Sequence, residues 1–325
     1  SWQQAKKCWR IVVTRDGIRK EFTSFVPGKK GQLEANAKAD AWLTGEVTES
    51  LTTQEAFHRF IEDKKTYTGK GNWRVAVSHF DNWFSPIAKK KLDKLTPYDF
   101  QRIINTAYSH GLSKKTLQNI RGTATQFLKF CRLNHYTDLR IDDISIPSNA
   151  RIGVKHILQP EHLRILFSSD QTFLNGVVKF DSYIYAYRFQ ALTGLRPGEL
   201  VALRWKDVDD FVVHVRGSIN RYGERTNGKN ANAIRDFYLN DMTRQLLKQQ
   251  KDLKKPGESV FEIHCSQTYR KRFIAYCNYN EIPHTTPYEL RHTFVSVAKN
   301  LSEGQLKQIV GHSKSMDTYG VYSHT

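Results

Sequence analysis

From about Leu51 to Asn134 every apolar cluster recurs at helical spacing, and this feature limits the chain's architecture more than any other. Ala56, Phe57, Phe60 and Ile61 form one stripe, and Trp73, Val77, Phe80 and Phe84 form a second. Residues three and four apart share one side of a helix, so each stripe is a buried face rather than a cofactor box. A third helix starts at Thr96-Pro97, an N-cap followed by a first-turn proline, and carries Phe100, Ile103, Ile104 and Ala107. A fourth is capped by Ser113 and turns Leu117, Ile120, Ala124, Phe127 and Cys131 inward. Four amphipathic helices in succession can bury these faces only against one another, as a helical domain.

The pattern differs on either side. Trp9, Ile11 and Val13 alternate, "RDG" offers an Asp16-Gly17 turn, and "IRKEFTSFV" continues as a partner strand. "QLEANAKADAWL" then reads as a helix, with the apolar Leu33, Ala37 and Ala41 four apart. The stretch "DISIPSNARIGVKHILQPEH" loses periodicity and reads as a linker. Beyond Leu158 helical patterns run to Trp205. "FVVHVRGSI" and "AIRDFYL" alternate as strands, the latter with Arg235, Phe237 and Leu239 on one face. Helices follow at Met242–Leu253, Thr268–Asn278, Tyr288–Asn300 and Glu303–Val310. The expected fold is multidomain and mainly α with small β elements. It comprises a basic α+β unit (1–48), a four-helix domain (49–140), a linker (141–157) and a mixed, mostly helical domain (158–325).

Charge narrows the partner. The 325 residues hold 50 Lys and Arg against 32 Asp and Glu, a formal net charge of +18. An excess of this size points to a polyanion, nucleic acid first. Arg10, Arg19 and Lys20 on the first sheet and Lys114 and Lys115 at the fourth helix start are the candidate contacts; each could equally be solvated surface. No apolar run approaches the roughly 20 residues of a spanning helix. The first residue is Ser rather than Met, which reads as a trimmed start. Cys8, Cys131, Cys265 and Cys277 lack metal-ligand spacing, and Cys131 and Cys277, in apolar helical patterns, read as core thiols; this fits a reducing cytoplasm and argues against zinc.

Three short motifs carry the candidate chemistry. In "TGLRPGELVALRW", Pro197 and Glu199 fall in the first turn of a helix, so Arg196 stands at its entrance, where anions are favoured. In "TPYELRHTFVSVAKN", Thr286 and Glu289 form a capping box around Pro287. Leu290, Phe294 and Val297 are expected inward and Tyr288, Arg291 and His292 on another flank. In "GHSKS", Gly311 is a C-cap that fixes His312 at a corner. Each alone is an ordinary structural feature.

Together "TGLRPGEL", "YELRHTF", and "GHS" followed by "YSHT" resemble the tyrosine recombinase, or phage-type integrase, family over most of the chain. The resemblance implies an arm-site-binding unit, a core-site-binding helical domain and a catalytic domain. It implies that Tyr322, ten residues after His312 and just before Ser323-His324, is the nucleophile rather than Tyr319. It further implies that Arg196, Arg291 and His312 hold the scissile phosphate, that Lys229 protonates the leaving 5′-oxygen, and that Glu199 orients the site. Tyr288 stands where most members carry His, and a phenol with a pKa of about 10 is a poor base at neutral pH. No magnesium-type carboxylate cluster accompanies these residues, so metal-free, cofactor-free chemistry is expected.

The implied activity is strand exchange through a covalent 3′-phosphotyrosine, integrating or excising a phage or conjugative element. Implied partners are double-stranded DNA at core and arm sites, three further copies in a tetramer, an excisionase and a host DNA-bending protein. The implied location is the cytoplasm, on the nucleoid. The family exchanges a segment beyond the nucleophile between neighbours, and this sequence ends three residues after Tyr322, so that segment is expected to be trimmed or missing. A type IB topoisomerase and a catalytically silent DNA-binding protein are the competing readings.

Overall fold

The first twenty-five residues pair as the alternation predicts. In the computed structural model, which describes residues 1–15, 17–44, 51–153, 156–228, 231–253, 257–283, 285–298, 300–312 and Thr318, β2 (Cys8–Arg15) lies between β1 (Trp2–Gln3) and β3 (Ile18–Ser24). Both pairings are antiparallel, and the β2–β3 register runs from Trp9↔Ser24 to Arg15↔Ile18. Gly17 at the connection has φ +77°, a left-handed conformation that glycine adopts without penalty; Asp16 lies outside the described residues.

Helix α1 (Gly28–Thr44) rests on this sheet through Gly31, Ala35 and Ala39, whereas Leu33 is exposed. The inner face is therefore rotated from the Leu33-Ala37-Ala41 line. The reason is close approach: a Cβ at position 31 would sit 1.7 Å from the Val26 carbonyl oxygen and 2.9 Å from the Trp9 ring. Small residues let the helix backbone press onto the sheet, and the larger Leu33 cannot take that place.

Four helices follow: α2 (Thr53–Tyr67), α3 (Lys70–His79), α4 (Pro97–Ser109) and α5 (Lys114–Leu133). Thr52 caps α2 in a reciprocal box with Glu55, and Ser113 accepts from the Thr116 N–H of α5. The stripes on α2, α4 and α5 are buried as read, and Phe80 and Phe84 close the core below α3. Ile141, Ile144 and Ala150, in the aperiodic stretch, are buried in the same cluster. The chain divides into two compact units, Ser1–Gly153 and Val154–Thr325.

The second unit begins with α6 (Pro160–Ser168). Helix was expected to continue, but β4 (Gln171–Leu174) and β5 (Val177–Phe180) form an antiparallel hairpin. Asn175 and Gly176 turn it, with φ of 54° and 82°. The signal was the Asn-Gly pair flanked by β-branched and aromatic residues, which outweighs a short apolar run's helical spacing.

Helix α7 (Ile184–Thr193) is apolar nearly all round and runs through the core, its Tyr187 packing on Tyr269, Phe273 and Tyr276. Then come α8 (Pro197–Ala202), β6 (Val212–Val215), β7 (Ser218–Ile219), β8 (Arg225–Thr226) and β9 (Arg235–Tyr238). β6 pairs with β9 and β7 with β8, both antiparallel. Helices α9 (Asp241–Leu253), α10 (Ser266–Tyr279), α11 (Pro287–Val297) and α12 (Glu303–Val310) complete the unit, close to the expected spans. All four cysteines are buried free thiols. No helix among the described residues is long and apolar enough to cross a membrane.

Candidate active site

Each motif first fixes its own backbone. Gly194 ends α7 in the left-handed region, its N–H donating to Gln190 O at 2.9 Å. The next helix restarts at once: Arg196 is extended, Pro197 fills the first turn, and the Arg196 N–H donates to the Glu199 carboxylate at 3.0 Å. At α11 Glu289 likewise accepts from the Thr286 N–H. At α12 Ser302 accepts from Gln305 N–H at 3.3 Å, and Gly311, φ +66°, closes the helix.

Tertiary folding then brings the motifs to one place, the carboxyl end of α12. Three successive carbonyl oxygens there each accept from a different arginine. Arg235 Nε donates to Ile309 O at 2.6 Å, Arg291 Nη2 to Val310 O at 2.7 Å, and Arg196 Nη2 to Gly311 O at 2.8 Å. The last carbonyls of a helix lack intrahelical partners and carry the negative end of its dipole, so guanidinium groups satisfy both needs. Arg291 Nη1 also donates to Gly194 O at 2.8 Å, tying the end of α7 to the same point.

His312 follows directly. Its Nε2 lies 2.8 Å from Arg291 Nη2 and its Nδ1 3.0 Å from Thr318 Oγ1. The guanidinium can only donate, so Nε2 accepts, and Nδ1 carries the proton and donates to Thr318. Burial, then the charges of Arg291, Arg196, Arg235 and Lys307, lower the imidazole from its ordinary 6.5 to about 4. His312 is therefore neutral at pH 7.

Glu199 is the anionic counterweight. It takes Arg196 Nη1 at 2.7 Å and Arg235 through Nη1 and Nη2 at 3.1 and 2.8 Å. Burial would raise its pKa, but the hydrogen bonds and charge of Arg235, joined by Arg196, hold it below the ordinary carboxylate value. The carboxylate stays charged between two guanidinium groups.

The expected α11 flank is not a flank. Arg291 is only 1% exposed and belongs to the interior, while Tyr288 is 54% exposed on the first turn. Val297, expected inward, is exposed too, because α11 buries Leu290, Arg291, Thr293 and Val295 instead. Arg196, Glu199, Arg291 and His312 are thus brought together, and Tyr288 stays outside their hydrogen-bond network. Lys229, Tyr319 and Tyr322 lie outside the described residues. In the first unit Arg10 pairs with Glu21 at 2.6 Å, Lys20 covers the Phe22 and Trp42 rings, and Arg19 and Lys115 are exposed.

Sequence reasoning missed Arg235. Its signal was present: a charged residue in register with Phe237 and Leu239 on the inner face of a strand needs a buried anionic partner.

Residues 176–325 match the Phage integrase family. Over 99% of its length the chain is 21% identical to a tyrosine recombinase XerC-like protein of Caldanaerobacter subterraneus subsp. tengcongensis, of which the match covers 93%. It is 22% identical to the ICEBs1 integrase of Bacillus subtilis over 81% of this chain and 75% of that one. Among solved structures, the Tn1549 transposon integrase in complex with transposon right end DNA superposes with a TM-score of 0.68 at 19% identity, covering 85% of this chain and 96% of that one. A lambda integrase tetramer bound to a Holliday junction gives 0.66 at 14% identity, covering 98% and 93%. These likenesses extend beyond the catalytic unit, and the two arginine motifs with their neutral histidine meet within it at one helix end. Residues 176–325 are thus similar to the phage integrase family, and together with the relatives and the shared fold this supports a tyrosine-type site-specific recombinase.

Proposed function

We propose that the protein integrates and excises a mobile element by transesterification, with Tyr322 as nucleophile. The observation that carries this reading is the convergence of Arg196, Arg291 and His312 on the carboxyl end of α12. The Tyr322 oxygen attacks the phosphorus, the bond to the 5′-oxygen breaks, and the chain is held as a 3′-phosphotyrosine. Lys229 gives its proton to the departing 5′-oxygen, and the phenol passes its own to solvent water as it attacks. A 5′-hydroxyl from the second duplex then reverses the step, so the stored ester needs no ATP to rejoin.

Charge on the pentavalent phosphorus is the barrier. Of the five N–H groups on Arg196, one donates to Glu199 and one to Gly311 O. Its remaining donors would hold the non-bridging oxygens, fixed in place by the protein where water would have to reorient. Tyr288, exposed on the first turn of α11, would hydrogen-bond phosphate rather than remove a proton.

Unit 1–48 would bind arm sites through Arg10, Arg19 and Lys20, and unit 49–140 core sites through Lys114 and Lys115, with residues 141–157 joining it to the catalytic unit. Four copies would act on two duplexes in the cytoplasm, helped by an excisionase and a host DNA-bending protein. Support for the assembly is the likeness to lambda integrase, described as a tetramer on a Holliday junction.

Covalent trapping tests this. The protein is mixed, in EDTA, with nicked DNA from the flanks of its own gene and run on denaturing gels beside Tyr322→Phe and Tyr319→Phe. A metal-independent adduct lost only in Tyr322→Phe is expected. Binding without an adduct would favour a silent DNA-binding protein, and supercoil relaxation without strand exchange would favour a topoisomerase.

A further inference from the structure

We propose that Arg235 is a positioning residue for strand cleavage: it joins Glu199 to the carboxyl end of α12, so that Arg196 and His312 keep a fixed separation. This rests on the reading above, since the site it positions is the proposed cleavage site.

The argument begins with what Arg235 has left to give. Its Nε is committed to Ile309 O at 2.6 Å, Nη1 to Glu199 and to Ala233 O, both at 3.1 Å, and Nη2 to Glu199 at 2.8 Å. Its side chain is 7% exposed, against 17% for Arg196. Arg235 is thus spent on the protein, while Arg196 commits one donor on each terminal nitrogen, to Glu199 and to Gly311 O. Two arginines share one carboxylate but play different parts: one faces inward as a strut, the other is oriented toward an incoming anion.

The contacts close a ring. Glu199 holds Arg235, Arg235 holds Ile309 O, two residues on Gly311 O holds Arg196, and Arg196 returns to Glu199. Three segments far apart in sequence are joined with no flexible member, because each guanidinium is planar and its contacts are directional. Gly311 makes room for the strut: a Cβ there would fall 3.0 Å from Arg235 Nη1. The bond to Ala233 O also pins the backbone just before β9.

Removing the strut releases Glu199 to pull on Arg196 alone and leaves the α12 end that carries His312 held by Arg196 and Arg291 only. Arg291 from α11, Arg196 from the α8 entrance, Arg235 from β9 and Lys307 from α12 are the charges acting on His312, with the Thr318 hydroxyl on its other nitrogen. Loss of one of these cations makes His312 easier to protonate.

The test uses the full chain with Arg235→Gln and Arg235→Lys. Three quantities are read: single-turnover cleavage of nicked core DNA, affinity for that DNA, and the His312 titration followed by NMR. We expect cleavage about 100-fold slower in Arg235→Gln with affinity within about twofold, as for a small misplacement of reacting groups. Arg235→Lys should recover about a tenfold part of this, since an ammonium reaches one partner but not the fork. His312 should protonate at higher pH in Arg235→Gln. A merely structural role predicts a lower melting temperature with unchanged rate per folded molecule, and that result overturns the proposal. If Arg235→Gln does not fold, Arg235→Lys carries the test, and cleavage equal to the parent overturns it. A parent that forms no adduct counts against the proposed function alone. The His312 titration in Arg235→Lys, which keeps the charge but not the fork, then decides the role of Arg235, a shift supporting it and no change overturning it.

Discussion

Arg291 donates to His312 across 2.8 Å, and the two side chains are 1% and 7% exposed. A buried cation against an imidazole requires the imidazole to be neutral, and this pair therefore links the protonation of the site to its stability. The unfolded chain would protonate His312 near 6.5, the folded one near 4. Between those values the unfolded state binds more protons, so stability is fully present above about pH 6.5 and falls as pH drops toward 4. Discounted for solvent screening, the loss should be about 1–2 kcal/mol. Denaturant melts at pH 7, 5.5 and 4.5 should show it, and His312→Gln should flatten this part of the profile.

The two family arginines should separate into different phenotypes. Arg291 satisfies buried carbonyls of Gly194 and Val310, so Arg291→Met strands them and should lower stability by about 3–5 kcal/mol. Arg196 is more exposed, and Arg196→Lys should lower stability by about 1 kcal/mol or less while cleavage falls at least tenfold. Unfolding curves and adduct yield measured on the same preparations would reveal the split; equal stability losses would contradict it.

Gly311 should tolerate no side chain. Its φ of +66° strains any other residue, and a Cβ would lie 2.6 Å from Asn232 O, a backbone atom that cannot swing away. Gly311→Ala is expected to lower stability by about 2 kcal/mol or more and to abolish the adduct. Gly304→Ala, where nothing lies within 4 Å inside α12, should instead be neutral or stabilising by up to about 1 kcal/mol.

On the N-terminal sheet the basic residues should not be equivalent. Arg10 is tied to Glu21 at 2.6 Å, whereas Arg19 is exposed. Arg19→Ala should weaken arm-site binding at all sequences and reduce the salt slope by about 1. Arg10→Ala should change the slope less, because its charge is already partly neutralised. Titrations at several salt concentrations by fluorescence anisotropy would distinguish them.

Much of this was legible locally. Pro197 and Glu199, Thr286 and Glu289, and Gly311 place Arg196 and His312 at helix ends and Arg291 one turn inside another helix through caps and first turns, which are rules about neighbours in sequence. The stripes on α2, α4 and α5 were equally readable, because period alone decides which side of a helix is apolar.

What the sequence could not decide is which neighbours those ends would meet. The inner face of α1 follows from a glycine pressed against Val26 and Trp9, not from its largest apolar residue. The burial of Arg291, the strut made by Arg235 and the neutrality of His312 all depend on three arginines from α8, α11 and β9 arriving at the last carbonyls of α12. Local pattern determines where a helix stops and leaves its carbonyls unpaired; only the tertiary fold determines what comes to pair with them, since hydrogen bonds and desolvation act through space.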